Sequence, residues 1–149
     1  MKIQDLYHGA PANELLGILK DGAMKPSSGE ICFVKQESQF HTCFVHGADR
    51  SRGAAFVIKA RVYIPDDLTL KPDPRPGNID TWILQTDKPV KVEVLKLFVR
   101  HKPGIPLEIF EGRDSIMAYL RPQAFHVPLK ETPQKNSWVS SGSGNLPSE

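Results

Sequence analysis

The residues best placed to do chemistry come first in the chain: Leu6-Tyr7-His8-Gly9-Ala10. A strand that carries an imidazole near its end and then breaks at glycine sets a polar tip at a strand edge. There the tip meets a ligand while the strand body stays buried. Such a tip suits gripping a planar, hydroxyl-bearing molecule, with His8 donating or accepting one hydrogen bond. The competing reading is structural: a ring whose two nitrogens are satisfied by nearby backbone groups. Tyr7 has the opposite parity on the strand and is read as packing.

Other groups offer weaker chemistry. Cys32, His41, Cys43 and His46 lie close together in sequence, which invites a zinc reading. Structural zinc sites use tight Cys-x-x-Cys or His-x(3–5)-His knuckles. Only His41 and His46 approach that spacing, and on a helix their offset turns them to different faces. Cys43 falls on an apolar stripe, so the four read as core cysteine and surface histidine, with no metal expected. Cys32, between Ile31 and Phe33, reads as buried and inert rather than nucleophilic. Basic residues gather at Arg50 and Arg52, then at Lys59 and Arg61, with Arg75, Arg100, His101 and Lys102 as further members. With Tyr63 they could track a phosphate backbone, although a solvated strand face explains Lys59 and Arg61 equally well. Arg50 and Arg52 lead the phosphate reading because loops carry function more often than strands. The chain has no Gly-x-Ser-x-Gly elbow, Walker loop, dinucleotide fingerprint or His-Glu-x-x-His pair.

The elements that must position these residues follow from periodicity. Residues 3–8 predict a short strand. Residues 12–21 predict a helix with Leu15, Leu16 and Leu19 on one stripe, started by Asn13 or the residue before Pro11 and stopped by Gly22. Pro26-Ser27-Ser28-Gly29 turns the chain into a buried strand at 31–34. Residues 38–47 predict a second helix, with Phe40, Cys43, Phe44 and Gly47 in register, and residues 48–53 a loop. The segment Ala54–Ile64 alternates cleanly: Phe56, Ile58, Ala60, Val62 and Ile64 on one face, Lys59, Arg61 and Tyr63 on the other. The proline-rich stretch 71–77 predicts a stiff loop. Strands follow at 79–85 and 90–99. In the second, Val90, Val92 and Val94 alternate and Leu95, Leu97 and Val99 continue on the opposite parity, the mark of a bulge. A last strand at 107–110 and a short helix at 114–120 precede a polar tail over 130–149, read as disordered.

At 149 residues one domain is expected, spanning 1–129 and large enough to bury a core without disulfides. A net charge of +2 is too small to argue for nucleic-acid binding by composition. No run approaches the roughly 18 apolar residues of a membrane span, and no secretory signal is visible. Two cysteines fit a reducing compartment. A cytoplasmic location is therefore expected, or delivery into a target cell's cytoplasm. Helices early and strands late argue an α+β fold with mostly antiparallel sheets.

On these residues the first hundred positions resemble the ADP-ribosyltransferase-like fold of mono-ADP-ribosyltransferase toxins, poly-ADP-ribose polymerases and RNA 2′-phosphotransferases. The resemblance rests on Leu6-Tyr7-His8-Gly9, on the helix from Asn13 to Gly22, on the exit Met24-Lys25-Pro26 and on the strand Ile31-Cys32-Phe33-Val34. It implies split antiparallel β-sheets with short helices, NAD as cosubstrate and a macromolecular acceptor, either protein or nucleic acid. It further implies that His8 and Gly9 meet the ribose and that Arg50 or Arg52 meets the pyrophosphate. The family's glutamate falls where this chain carries Ile79-Asp80-Thr81-Trp82, so Asp80 is the nearest carboxylate. Asp80 is expected either on a strand face with Trp82 and Leu84, one methylene short of a glutamate's reach, or as a solvated aspartate at a loop edge. Glu93, Glu108 and Glu111 are the other candidates, and Glu93, between Val92 and Val94, is expected to face solvent. A binding module without catalysis is the alternative in another class. An RNA-directed phosphotransferase or ribonuclease toxin using His8 with Arg50 or Arg52 is the third.

Overall fold

A computed structural model describes residues 1–39, 44, 48–49, 54–78, 80–101 and 104–124. In chain order the elements are β1 (Lys2–Gly9), α1 (Ala12–Asp21), β2 (Ala23–Met24), β3 (Glu30–Phe33), a 3-10 turn (Glu37–Gln39), β4 (Ala48–Asp49), β5 (Ala54–Ile64), β6 (Lys71–Pro72), β7 (Trp82–Gln85), β8 (Val90–Arg100), β9 (Glu108–Glu111) and α2 (Arg113–Ala124). The fold is α+β, with two antiparallel sheets. The larger runs β1-β5-β8-β2, with β4 added along β5 and β9 along β8, and the smaller runs β3-β7-β6. No helix among the described residues is long and apolar enough to cross a membrane.

The large sheet is organised by the alternation on β5. Phe56, Ile58, Ala60 and Val62 are fully buried on one face, beneath the apolar stripes of α1 and α2. The other face changes character along its length. Asp5 pairs across to Arg61 and onward to Glu93, a solvated row, whereas Val57 pairs to Phe98 in a second, smaller core with Tyr7, Val34, Phe44 and Ala55. β8 serves both halves because its register shifts: Lys59 faces Lys96, and the next residue, Ala60, faces Val94. Leu95 is thus the extra residue of a bulge, as the change of parity predicts, and its carbonyl accepts the Gly112 amide at 3.2 Å.

Among the described residues the small sheet meets the large one at a single backbone pair. The Tyr7 amide donates to Val34 O at 2.9 Å and the Val34 amide donates to Tyr7 O at 3.0 Å. From there β3 continues away from β1, with Phe33 buried in the main core.

Several local expectations change. Pro11 itself is the N-cap of α1 and provides no side-chain cap; its carbonyl accepts from Leu15 at 3.0 Å. Gly22 closes the helix as expected, in a left-handed conformation at φ 64°, with its amide on Ile18 O. Ala48–Asp49 and Lys71–Pro72 are short strands rather than loop, because each finds an open edge to pair with. Pro72 is tolerated there because an edge strand has a side that needs no donor. β7 starts at Trp82, so Asp80 is not in a strand. Of the helix expected over 38–47, the described part holds a 3-10 turn at its start, and most of the rest lies outside the described residues.

The fully buried Phe56 is the strongest test of this packing. Phe56→Ala is expected to cost about 3–5 kcal/mol, read in urea unfolding as a lower midpoint at unchanged slope. A loss below about 1 kcal/mol would contradict the placement of β5 at the centre of the core.

Candidate functional site

His8 is the last side chain of β1 on the helix-bearing face before Gly9, where the strand separates from β3. Its ring lies against Phe33, 5.9 Å between centroids, and its side chain is 14% exposed, so it is held by packing yet reachable. Nδ1 is 2.8 Å from Cys32 O. A carbonyl oxygen only accepts, so Nδ1 carries a proton and donates it. Nε2 is left on the other side of the ring, 3.3 Å from Glu14 Oε2 on the first turn of α1. A ring protonated on both nitrogens donates to Glu14 there as an ion pair; in the neutral ring Nε2 is an acceptor facing another acceptor. The two readings of His8 made from sequence each claim one nitrogen: Nδ1 is satisfied by backbone, and Nε2 is presented to a cavity.

That cavity measures about 350 Å³ and is lined by His8, Asn13, Glu14, Asp21, Lys25 and Ser27 among others. Its charge is mostly negative. Lys25 is the one cation among these lining residues, and its ammonium is 3.9 Å from Asp21 Oδ2. Such a wall suits hydroxyl donors and disfavours phosphate.

Behind His8, on the far face of β3, a second polar cluster fixes the small sheet. The Asp73 side chain is completely buried. Its Oδ1 accepts the Arg75 amide at 3.0 Å and Arg75 Nε at 2.9 Å; its Oδ2 accepts Arg75 Nη2 at 2.7 Å and Asn78 Nδ2 at 2.8 Å. Arg75 Nη2 also binds Glu30 of β3, and Glu30 in turn accepts from Cys32 Sγ at 3.5 Å. The guanidinium hydrogen bonds hold the Asp73 carboxyl well below the usual carboxylate range, and Asp73 raises Arg75 above its own. Burial, reinforced by the hydrogen bond to Glu30, pushes the Cys32 thiol up to about 11. Glu30, Cys32 and Asp73 bring ligand atoms within 4.8 Å of one another, a spacing a metal ion could use. The residues fit one poorly: Arg75 already lies between both carboxylates as their cation, and the thiol is not ionised.

The other candidate residues spread over the molecule. Gly9 pairs with Val57 at the end of β1, beside His8. Asp80 is exposed in a turn ahead of β7, in a left-handed conformation at φ 67° that aspartate tolerates better than most residues, and it does not line the His8 cavity. Arg50, Arg52, His41, Cys43, His46 and Lys102 lie outside the described residues. Glu93 faces solvent, with Arg61 Nη1 at 3.9 Å, and Glu108 accepts from His101 at 2.5 Å. Glu111 is exposed across from Lys96. Arg61 also bonds Asp5 at 3.3 Å, and Lys91 lies 4.9 Å over the Tyr63 ring. Arg100 lies over Phe44 at 4.4 Å. Arg75, expected in a basic stripe, is instead the partner of Asp73. Comparison with family models, curated proteins and solved structures found no match.

Sequence reasoning missed Glu14 and Asp73. The signal for Glu14 is its place in the first turn of a helix that folds straight back over the end of β1. For Asp73 it is the Asp-Pro-Arg spacing, whose stiff proline aims two opposite charges at each other.

Two outcomes follow. Asp73 has its folded-state carboxyl lowered, so its contribution to stability is complete at neutral pH and is lost as pH falls below about 5. Asp73→Asn should therefore be less stable at pH 7 and show a flatter acid limb in urea unfolding at stepped pH; an unchanged limb would refute the clamp. In a Cys43→Ser background, Cys32 should react with a thiol reagent at pH 8 far more slowly folded than unfolded. Equal rates would show that burial does not hold the thiol protonated.

Proposed function

We propose that this chain is an NAD-dependent enzyme that transfers ADP-ribose to a macromolecular acceptor on an ADP-ribosyltransferase-like scaffold. The observation that carries the reading is the fixed ring of His8, anchored through Nδ1 on Cys32 O with Nε2 turned to a cavity lined by α1 and the segment 23–27. In this reading Nε2 accepts a hydrogen bond from a ribose hydroxyl and so orients the sugar. The bond from ribose C1 to the nicotinamide nitrogen breaks, its electron pair leaves with nicotinamide, and a nucleophile of the acceptor bonds C1 and gives up its proton. Little covalent work falls to the protein; positioning and a negative charge near C1 carry the rate. Asp80 is the proposed source of that charge, and Arg50 and Arg52 are the proposed pyrophosphate contacts.

A second reading, a nucleotide-binding module without turnover, draws support from one observation. Asp80 is exposed and lies outside the lining of the His8 cavity.

Nicotinamide release from NAD separates the two, measured with the acceptor supplied as a cell extract and again without it. His8→Ala should lower release by about tenfold or more, the worth of one hydrogen bond to a bound ligand. Asp80→Ala should lower it by about 100-fold if Asp80 supplies the charge. Release untouched by His8→Ala would end the transferase reading at this site. Calorimetric binding of NAD with no release would establish the module reading.

A further inference from the structure

We infer that Glu14 is a second recognition residue of this site, and that with His8 it selects a sugar bearing two free neighbouring hydroxyls and rejects one phosphorylated at either. The inference rests on the reading that a ribose docks at His8.

The argument is one of hydrogen-bond accounting. The Cys32 carbonyl commits the Nδ1 proton, so the neutral ring offers Nε2 only as an acceptor. Glu14 Oε2 stands 3.3 Å away, also an acceptor. With the ring neutral, both are acceptors on an open cavity wall, and solvent serves them until a ligand supplies two donors in its place. Hydroxyls on adjacent furanose carbons supply one O–H to each. Asn13 and Ser27 line the same cavity, where they can complete the remaining valences of the sugar oxygens. Glu14 is half exposed, so its carboxylate can adjust to the second hydroxyl while the packed His8 ring sets the first.

The same carboxylate works against phosphate. A monoester on either hydroxyl would place a second strong negative charge against Glu14, with Asp21 nearby and Lys25 already shared with Asp21. Dinucleotide-binding folds use an acidic side chain on the ribose 2′-hydroxyl in the same sense. The site is therefore built for an unphosphorylated ribose, which sets it apart from an enzyme whose substrate carries a 2′-phosphate.

The test uses the full chain labelled with 15N, observing the His8 ring nitrogens, assigned by comparison with His8→Ala. The probes are adenosine, 2′-deoxyadenosine, 3′-deoxyadenosine and adenosine 2′-monophosphate. Adenosine should move the Nε2 signal and leave Nδ1 bonded to Cys32 O. Each deoxy probe should bind about 10- to 100-fold more weakly, the effect of one hydrogen bond lost to a charged or fixed acceptor. The 2′-monophosphate should be weaker still. Glu14→Gln keeps an acceptor but removes the charge, so it should narrow the discrimination against phosphate. Glu14→Ala should erase the preference for adenosine over at least one deoxy probe. Both variants change a half-exposed helix residue, and an unchanged amide spectrum checks that they fold.

Equal affinity for all four probes, no response at Nε2, or unchanged selectivity in both variants would overturn the inference. So would methylguanidinium displacing adenosine from His8, since a cation also offers paired donors. Diol selectivity without nicotinamide release would uphold this inference and refute the transferase reading; release without diol selectivity would do the reverse.

Discussion

Everything at the site depends on one backbone pair, the two hydrogen bonds between Tyr7 and Val34. They are the seam by which a three-stranded sheet is joined to the edge of a six-stranded one. One residue along on β1 is His8; two residues back on β3 is Cys32. The seam therefore brings a ring nitrogen and a carbonyl together at 2.8 Å without any side chain having to find another. The pairing of Phe33 with Trp82 and of Ile31 with Leu84 then gives β3 an apolar underside that rests on the main core.

A polar lock backs that seam from the other side. Asp73 is buried at full charge because Arg75 and Asn78 fill its lone pairs and a backbone amide takes another. A buried charge without such partners would neutralise or unfold its surroundings. Here the lock ties the proline-rich stretch to Glu30, so the small sheet is held at its outer face by charge and at its inner face by hydrocarbon. The large sheet shows the complementary division, with its outer face solvated where Lys59 and Lys96 oppose each other and dry where Val57 meets Phe98.

How much of this could be read from sequence follows from the range of each interaction. The alternation on β5, the apolar stripe and glycine stop of α1, and the bulge in β8 are local patterns, and each is visible within one element. The α+β class followed from them. The short strands β4 and β6 were not legible, because two residues carry no periodicity and pair only where an edge happens to be open. The pattern of Trp82-Ile83-Leu84, extended backward, puts Asp80 on a strand; the left-handed turn at Asp80 breaks that pattern. His8 was found because a strand end with an imidazole is a local signal. Glu14 and Asp73 were not, since their meaning lies in partners brought to them by the fold: His8 by the turn into α1, and Arg75 and Glu30 by the packing of a loop on β3.

The anchor of His8 is a main-chain oxygen, and every amino acid has one. What position 32 must supply is a place in the register of β3, not a side chain. Substitutions there could accumulate across descendants of this chain without turning the ring, whereas a single-residue deletion between Ser27 and Val34 would swap the faces of β3 and remove the anchor. The residue most closely coupled to the histidine would thus leave almost no trace in an alignment of identities, and only a map of tolerated insertions and deletions would reveal it.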